Sequence, residues 1–278
     1  MRLLSTQSEG EMEKSISIFV ISFDGYSDVW PVFFECKERF WNDCPYITYL
    51  VTNNKDCNEK CFVIKTGEET NWCDRVLKAL DSVKEDAIIV LLEDYLIGSK
   101  INNEHFNNYV DFFQNGNANY LRLINIPRKH KSSEYDEIYP ILKNEEYGIS
   151  LQPAIWDKQY FKDVLLNVEG NRSAWEFEIY LLKKCTDECI PISGCYGTKT
   201  NVLDIHNGVL KGKWFKNEVS YFRQKGILIN TYDRGILKDK EYRSHLIRRT
   251  IRETLPPSIR KKIKRVLMKM NFKFVSNA

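Results

Sequence analysis

Two adjacent carboxylates end an apolar run in the segment "AIIVLLED", where Glu93 and Asp94 follow six apolar residues. Two more apolar runs, "SISIFVISF" and "YITYLVT", lead directly into Asp24 and Asn53. If these runs are parallel strands, their polar ends share one edge of a sheet, which is where ligands of such sheets bind. Each residue alone is explained equally well as a cap or a turn residue. What favours a ligand site is that polar residues follow three separate predicted strands.

The first half of the chain alternates between two patterns. Near-continuous apolar runs, rich in β-branched and aromatic residues, predict strands at 15–23, 46–53 and 87–94. Amphipathic spacing predicts helices between them at 26–41 and 71–83, with Asp28 as a possible N-cap and Pro31 in the first turn of the former. Strands that are apolar on both faces indicate an α/β fold with a mostly parallel sheet and helices on both faces.

The second half is less regular. Strands are predicted at 119–126 and 147–152, and helices at 153–166 and 173–185. Ser173 and Glu176 have the spacing of a capping box at the start of the last of these helices. Arg122 lies between two leucines inside a predicted strand, so its side chain must reach solvent or pair with a carboxylate.

Composition and charge exclude several classes of protein. The 278 residues are 43% hydrophobic with a net charge of +3, which indicates one large folded domain and not a disordered chain. No apolar run approaches the ~20 residues that span a bilayer. The N-terminus turns polar after four residues, unlike a secretory signal, so we expect a cytoplasmic protein. The eight cysteines show no C-x2-C pair typical of zinc sites.

Positive charge is concentrated near the C-terminus. Residues 238–270 contain twelve Lys and Arg against three Asp and Glu, and the rest of the chain is therefore acidic overall. Within them, 255–270 combines an apolar stripe with a dense basic face, which predicts a basic amphipathic C-terminal helix. Such a tail fits an anionic partner, either a lipid surface or a nucleic acid, although a helix packed on the body with a solvated basic face is also common.

Four segments together resemble one family: "FVISFDGYSDVWPVFFECKERFW", "LVTN", "LLEDY" and "SLQPAIW…SAWEFE". They are similar to bacterial nucleotide-sugar glycosyltransferases of the GT-A fold, in particular those of capsule and lipopolysaccharide O-antigen assembly. The resemblance covers about residues 15–215. It implies a GT-A-like (Rossmann-like) sheet and transfer of a sugar from a nucleotide sugar, expected to be a UDP-sugar, to a lipid-linked saccharide. It divides the chain into a flexible N-terminus (1–14), a donor-nucleotide half (15–125), an acceptor half (126–235) and a basic tail (236–278).

The resemblance also implies roles for individual residues. GT-A enzymes usually hold Mn²⁺ or Mg²⁺ through D-x-D at a strand end, whereas this sequence has only the adjacent pair Glu93 and Asp94. Because neighbouring side chains of an extended segment point to opposite faces, we expect one of the two to be the ligand and favour Asp94. A late histidine, His206, is a candidate third metal ligand, although a turn residue is the simpler reading. The residues expected to contact the donor are Asp24, Asp28, Asn53, Trp72, Arg75, Arg122 and Lys213.

An inverting transfer needs a base for the acceptor hydroxyl, and the family often places an acidic pair at a helix start. Glu176 and Glu178 are two residues apart, so on a helix they cannot both face one site. We expect Glu176 to be the base, with capping of the helix as an equally good and compatible role. The basic tail then suggests attachment to the inner face of the cell membrane, with no nucleic acid as partner. The alternative is a non-catalytic α/β protein that binds nucleic acid or membrane.

Overall fold

The computed structural model describes residues 14–68, 71–116, 118–126, 137–168, 173–254 and 259. The strands are β1 (Ile16–Ile21), β2 (Thr48–Thr52), β3 (Phe62–Lys65), β4 (Ala87–Leu92), β5 (Tyr95–Ile97), β6 (Tyr120–Arg122), β7 (Ile138–Pro140), β8 (Ala154–Asp157), β9 (Cys195–Thr198), β10 (Ile205–Asn207), β11 (Val209–Leu210) and β12 (Lys213–Trp214). The helices are α1 (Trp30–Phe40), α2 (Trp72–Leu80), α3 (Asn103–Asn115), α4 (Lys158–Asn167), α5 (Ala174–Thr186), α6 (Lys216–Gln224) and α7 (Asp239–Thr254).

Eight of these strands form one mixed sheet in the order β3-β2-β1-β4-β8-β6-β9-β7. The strands β3, β2, β1 and β4 are parallel neighbours, and the antiparallel β8 joins them to β6. The parallel half confirms the sheet predicted from the apolar runs. Because β1, β2 and β4 run in one direction, the residues that follow them lie along the same edge of the sheet.

Both faces of the sheet are covered, as the two-sided apolar strands predicted. Along β1, Ile18 and Val20 point into one core and Phe19 and Ile21 into the other. The first core is completed by aromatic residues of α1, α3 and α6, and the second by apolar residues of α2, α4 and α5. The alternation of side chains along a strand thus places helices on both sides of β1.

Two smaller pairings bring a distant part of the chain to the end of β4. The strand β5, which begins directly after Asp94, pairs antiparallel with β10, and the carbonyl of Asp94 accepts a hydrogen bond from the N–H of Gly208. The hairpin of β11 and β12 follows immediately. Residues 205–214 are therefore held next to the Glu93–Asp94 pair.

The structure departs from the sequence prediction in the second half. Residues 147–152 form turns and bends, and the strand lies at β8, within the stretch predicted as the start of a helix. The helix begins only at Lys158, where Asp157 caps it by accepting a hydrogen bond from the N–H of Tyr160. The apolar "AIW" is buried between β4 and β6, and this tertiary burial overrides its helical spacing.

The C-terminal prediction falls mostly outside the described residues. The helix α7 ends at Thr254, and the basic amphipathic segment 255–270 lies beyond it, with only residue 259 described. The N-terminal residues 1–13 also lie outside the described part. Of the helices that are described, none combines the length and the apolar character needed to cross a membrane.

Candidate active site

Two carboxylates lie at the edge of the sheet where β1 and β4 end. Glu93 is buried (7% exposed) and Asp94 is half-buried. Burial and then the charge of Asp94 raise the pKa of Glu93 well above its usual range, and burial raises the pKa of Asp94 to about 7. The N–H of Val209 donates a hydrogen bond to Asp94 and counteracts part of this effect. Since two buried carboxylates disfavour each other's ionised form, the pair favours a positively charged neighbour.

Arg234 lies next to this pair and is held there by contacts with other residues. Its guanidinium makes a bidentate ion pair with Asp28, with 2.7 Å between Nε and Oδ2. The guanidinium carbon lies 4.2 Å from the centroid of the Tyr26 ring, and the carbonyls of Gly25 and Gly212 accept further bonds. Asp28 is thus not the N-cap of α1, whose N-cap is Val29 without a side-chain bond. The carboxylate of Asp28 is used to orient a cation.

The charge of Arg234 lowers the pKa of both Glu93 and Asp94, against the larger opposing effect of burial. Sequence patterns do not indicate this residue, because it lies in a turn, "YDRG", far along the chain from both carboxylates. Gly235, with φ of +65°, allows the chain to turn directly after Arg234. No local pattern distinguishes this arginine from the many others near the C-terminus.

The first turn of α2, a helix that packs in the second core, also borders the site. Arg75 is buried, its Nη2 donates to the carbonyl of Ser22 at 2.7 Å, and its charge also lowers the pKa of Glu93. The ring of Trp72 packs on Phe177 of α5, with 5.1 Å between centroids. Arg75 is therefore next to the carboxylate pair, while Trp72 connects α2 to the helix that carries the two glutamates.

Asp24 and Asn53 meet, as expected for residues that follow neighbouring parallel strands. The carboxylate of Asp24 accepts hydrogen bonds from the N–H groups of Asn53, Asn54 and Lys55 at 2.9–3.3 Å. Asn53 in turn accepts from the N–H of Asp24 and donates to the carbonyl of Gly67. These bonds fix the loops after β1 and β2 against each other. Contact of either side chain with a nucleotide stays a prediction.

The two glutamates of α5 have different surroundings. Glu176 is exposed and closes the predicted capping box, with its Oε2 accepting from the N–H and hydroxyl of Ser173, both at 2.9 Å. Glu178 is half-buried, and its Oε1 accepts from the N–H of Leu151 at 3.0 Å. Burial, followed by the charges of Glu178 and then of Asp94 and Glu93, raises the pKa of Tyr95. Glu178 is therefore the glutamate that, like Asp94 and Glu93, acts on Tyr95.

Arg122 pairs with a carboxylate, as its place inside a strand requires, but the partner is Glu145, at 3.2 Å. The side chain is fully buried, and its Nη2 also bonds to the hydroxyl of Tyr139. Its other bonds go to the carbonyls of Ile124, Tyr147 and Gly148. All five N–H donors are thus used inside the protein. These bonds hold the segment 139–148, and contact of Arg122 with the donor stays a prediction that they do not support.

His206 is not grouped with the carboxylate pair. Its Nδ1 lies 2.6 Å from Glu218 and its Nε2 3.5 Å from Asp204, while its ring stacks on Tyr221. These contacts engage both ring nitrogens, so a role for His206 as third metal ligand is not supported. Lys213, on β12, is half-buried and follows Gly212, which places it beside the carbonyl that Arg234 contacts.

The site fits a divalent cation in part. Among the residues that the structure describes, no group of three or more His, Cys, Asp or Glu could hold a metal ion by itself. Glu93 and Asp94 nevertheless supply hard oxygen ligands in a buried site where a cation would stabilise their ionised form. Mg²⁺ is commonly held in this way, by one or two carboxylates with substrate phosphates and water as the other ligands.

Comparison with known proteins gives a fold-level similarity only. No protein-family model matches the chain, and no curated protein matches it either. Among solved structures, a mannosyltransferase from Pyrobaculum calidifontis, PcManGT, in complex with GDP-Man and Mn²⁺, is 11% identical with a TM-score of 0.46, over 73% of this chain and 59% of its own. TarS 1-349 from S. aureus is 13% identical with a TM-score of 0.41, over 62% of this chain and 55% of its own.

A nucleotidyl transferase from Methanothermobacter, Mth528, is similar to the same degree, at 13% identity and a TM-score of 0.42 over 66% of this chain and 86% of its own. This chain spans only 55% of the length of TarS 1-349 and 59% of that of PcManGT. At these TM-scores the similarities do not assign a function, which has to come from the side chains of the site itself.

Proposed function

We propose that this protein is a glycosyltransferase that moves a sugar from a nucleotide sugar to a saccharide acceptor. The observation that carries the proposal is the buried Glu93–Asp94 pair at the carboxyl edge of a parallel sheet, with Arg234 close enough to lower the pKa of both carboxylates and with Glu178 bound to the turn that contacts Tyr95, the residue after the pair. A cation and a base near a buried acidic pair suit a reaction with an anionic leaving group and a hydroxyl nucleophile.

The roles follow from the positions of these groups. The acceptor hydroxyl attacks the anomeric carbon of the donor sugar, and the bond from that carbon to the diphosphate oxygen breaks. Glu178 takes the hydroxyl proton, and the electron pair of the broken bond leaves with the nucleoside diphosphate. Attack from the side opposite the leaving group inverts the anomeric centre. We therefore propose Glu178 as the base in place of Glu176, whose carboxylate is occupied in the capping box.

The departing diphosphate carries the charge that the site has to stabilise. Arg234, held in place by Asp28 and Tyr26, provides a fixed positive charge that needs no reorganisation during the reaction. A bound Mg²⁺ or Mn²⁺, held by Asp94 and Glu93, would add Lewis-acid stabilisation of the same oxygens. Arg75 supports the pair from the side of α2 by partly balancing the charge of Glu93.

The finer identity is proposed from the sequence resemblance. It favours a UDP-sugar as donor, a lipid-linked saccharide of bacterial capsule or O-antigen assembly as acceptor, and attachment of the basic tail to the inner face of the cell membrane. The concentration of Lys and Arg in residues 238–270 supports an anionic surface as partner. The division into a donor half (15–125) and an acceptor half (126–235) belongs to the same proposal.

The test measures release of nucleoside diphosphate from a panel of UDP-, GDP- and other nucleotide sugars, with and without Mn²⁺. Glu178→Gln should lower kcat by about 10²–10⁴-fold, the usual contribution of a general base. Glu176→Gln, two residues away on the same helix, is the matched control and should keep wild-type turnover. Equal losses in both variants would contradict the assignment of the base. Release of pyrophosphate instead of nucleoside diphosphate would indicate nucleotidyl transfer and overturn the proposal.

A further inference from the structure

A short segment of the chain contacts both sides of the proposed catalytic site. Leu151 and Gln152 are consecutive residues in the turn before β8. The N–H of Leu151 donates to Oε1 of Glu178 at 3.0 Å, and Nε2 of Gln152 donates to the hydroxyl of Tyr95 at 3.1 Å. Tyr95 directly follows Asp94. The segment therefore connects α5 to the strand that begins at the carboxylate pair.

The Tyr95 hydroxyl is a buried anchor for this segment. The side chain is buried (5% exposed), and its oxygen accepts the hydrogen bond from Nε2 of Gln152. Because the ring is buried, this bond ties the turn of residues 151 and 152 to the start of β5. A buried hydroxyl with one fixed partner has few orientations open to it.

We propose that Tyr95 and Gln152 are positioning residues for Glu178: the bond from Gln152 to the Tyr95 hydroxyl holds the turn of residues 151 and 152 against the start of β5, and the Leu151 N–H of that turn fixes the carboxylate of the base relative to the Glu93–Asp94 pair. The catalytic part of this inference rests on the proposed function. Neither residue touches the reacting atoms. Their effect is to set the distance between the group that removes the acceptor proton and the groups that hold the donor.

Two variants break the connection at different points. Tyr95→Phe removes the hydroxyl and keeps the ring, and Gln152→Met removes the amide and keeps the length of the side chain. Tyr160→Phe is the matched control, because it also removes a hydroxyl from a buried tyrosine, one that donates to the carbonyl of Pro191 at 2.7 Å away from this segment. Melting temperatures of the three variants show that each is folded.

The first measurement needs no substrate. Hydrogen exchange of the Leu151 amide, followed by NMR, reports whether its bond to Glu178 is maintained. Exchange is expected to be at least about tenfold faster in Tyr95→Phe and Gln152→Met and unchanged in Tyr160→Phe, because a turn that loses its anchor opens more often. Unchanged exchange in the first two variants would overturn the positioning role, whether or not the protein is a glycosyltransferase.

The second measurement uses the nucleotide sugar that gives the fastest release of nucleoside diphosphate with the wild-type protein. Both variants should lower kcat about tenfold, with less than about a twofold change in the KM of the donor, because misplacing the base slows the chemical step and leaves donor binding intact. Faster amide exchange with unchanged kcat would mean that the network is structural only. If the wild-type protein releases no nucleoside diphosphate from any donor, the proposed function fails, and the exchange result still decides whether the residues position Glu178.

Discussion

Replacing Asp94 with asparagine should make the protein more stable while removing its activity. The pKa of Asp94 is raised by burial from an ordinary 3.8 to about 7, so the folded state binds its proton more tightly than the unfolded state does. Below about pH 4 the carboxyl of Asp94 is protonated in both the folded and the unfolded state, and it costs no folding stability. Stability is lost as the pH rises from there through about 7, because the carboxyl ionises more easily in the unfolded state than in its buried place.

The magnitude follows from the size of this change. One pKa unit corresponds to about 1.4 kcal/mol, so the raised pKa of Asp94 lowers the free energy of unfolding by up to about 4 kcal/mol at pH 8 and about 2 kcal/mol at pH 5. Asparagine keeps the oxygen that accepts from the Val209 N–H but cannot ionise. Asp94→Asn should therefore exceed the wild type in stability, by more at pH 8 than at pH 5, and relaxation around the site reduces both differences.

The assay is denaturant unfolding of the metal-free protein at both pH values, together with nucleoside diphosphate release. Asp81→Asn is a suitable control, because Asp81 is 72% exposed and only pairs with Lys162 at the surface, an interaction worth about 0–1 kcal/mol. A variant at Asp94 that is less stable than the wild type at pH 8, or a gain that does not grow with pH, would refute the assignment of a destabilising buried carboxylate.

The remaining predictions concern other groups of the site and one structural residue. Mn²⁺ should raise the melting temperature of the wild type in a concentration-dependent way and leave that of Asp94→Asn unchanged, as measured by thermal shift. Arg234→Gln should lower kcat/KM for the donor by about 10²-fold, because one fixed charge near the leaving group is lost. Steady-state kinetics measure this, and an unchanged kcat/KM would contradict the role of Arg234. Arg122→Met should lower the free energy of unfolding by about 3–5 kcal/mol, since it removes the cation that neutralises the largely buried Glu145; retained stability in denaturant would refute the proposed structural role. Ser173→Ala should cost about 1 kcal/mol through loss of the cap on α5, without changing kcat.

Local sequence patterns were sufficient for β1, β2 and β4, whereas β3, the fourth strand of the parallel half, was not predicted. The runs that became β1, β2 and β4 are apolar on both faces, so burial between two helical layers leaves few alternatives for them. The polar residues after them, from Asp24 to Asp94, then share one edge because parallel strands end together. The capping box of Ser173 and Glu176 was also predictable, since it depends on residues three positions apart.

The charge partners in the site could be decided only by the tertiary structure. Arg234 and Asp28 are 206 residues apart, and Arg122 and Glu145 are 23 apart, so no spacing rule connects them. The choice between Glu176 and Glu178 likewise depends on which side of α5 faces Leu151, which the helix alone cannot show. Sequence determines what each segment can bury and how it begins. Which charges meet depends on how the segments pack, because electrostatic contacts act through space between residues that the chain separates.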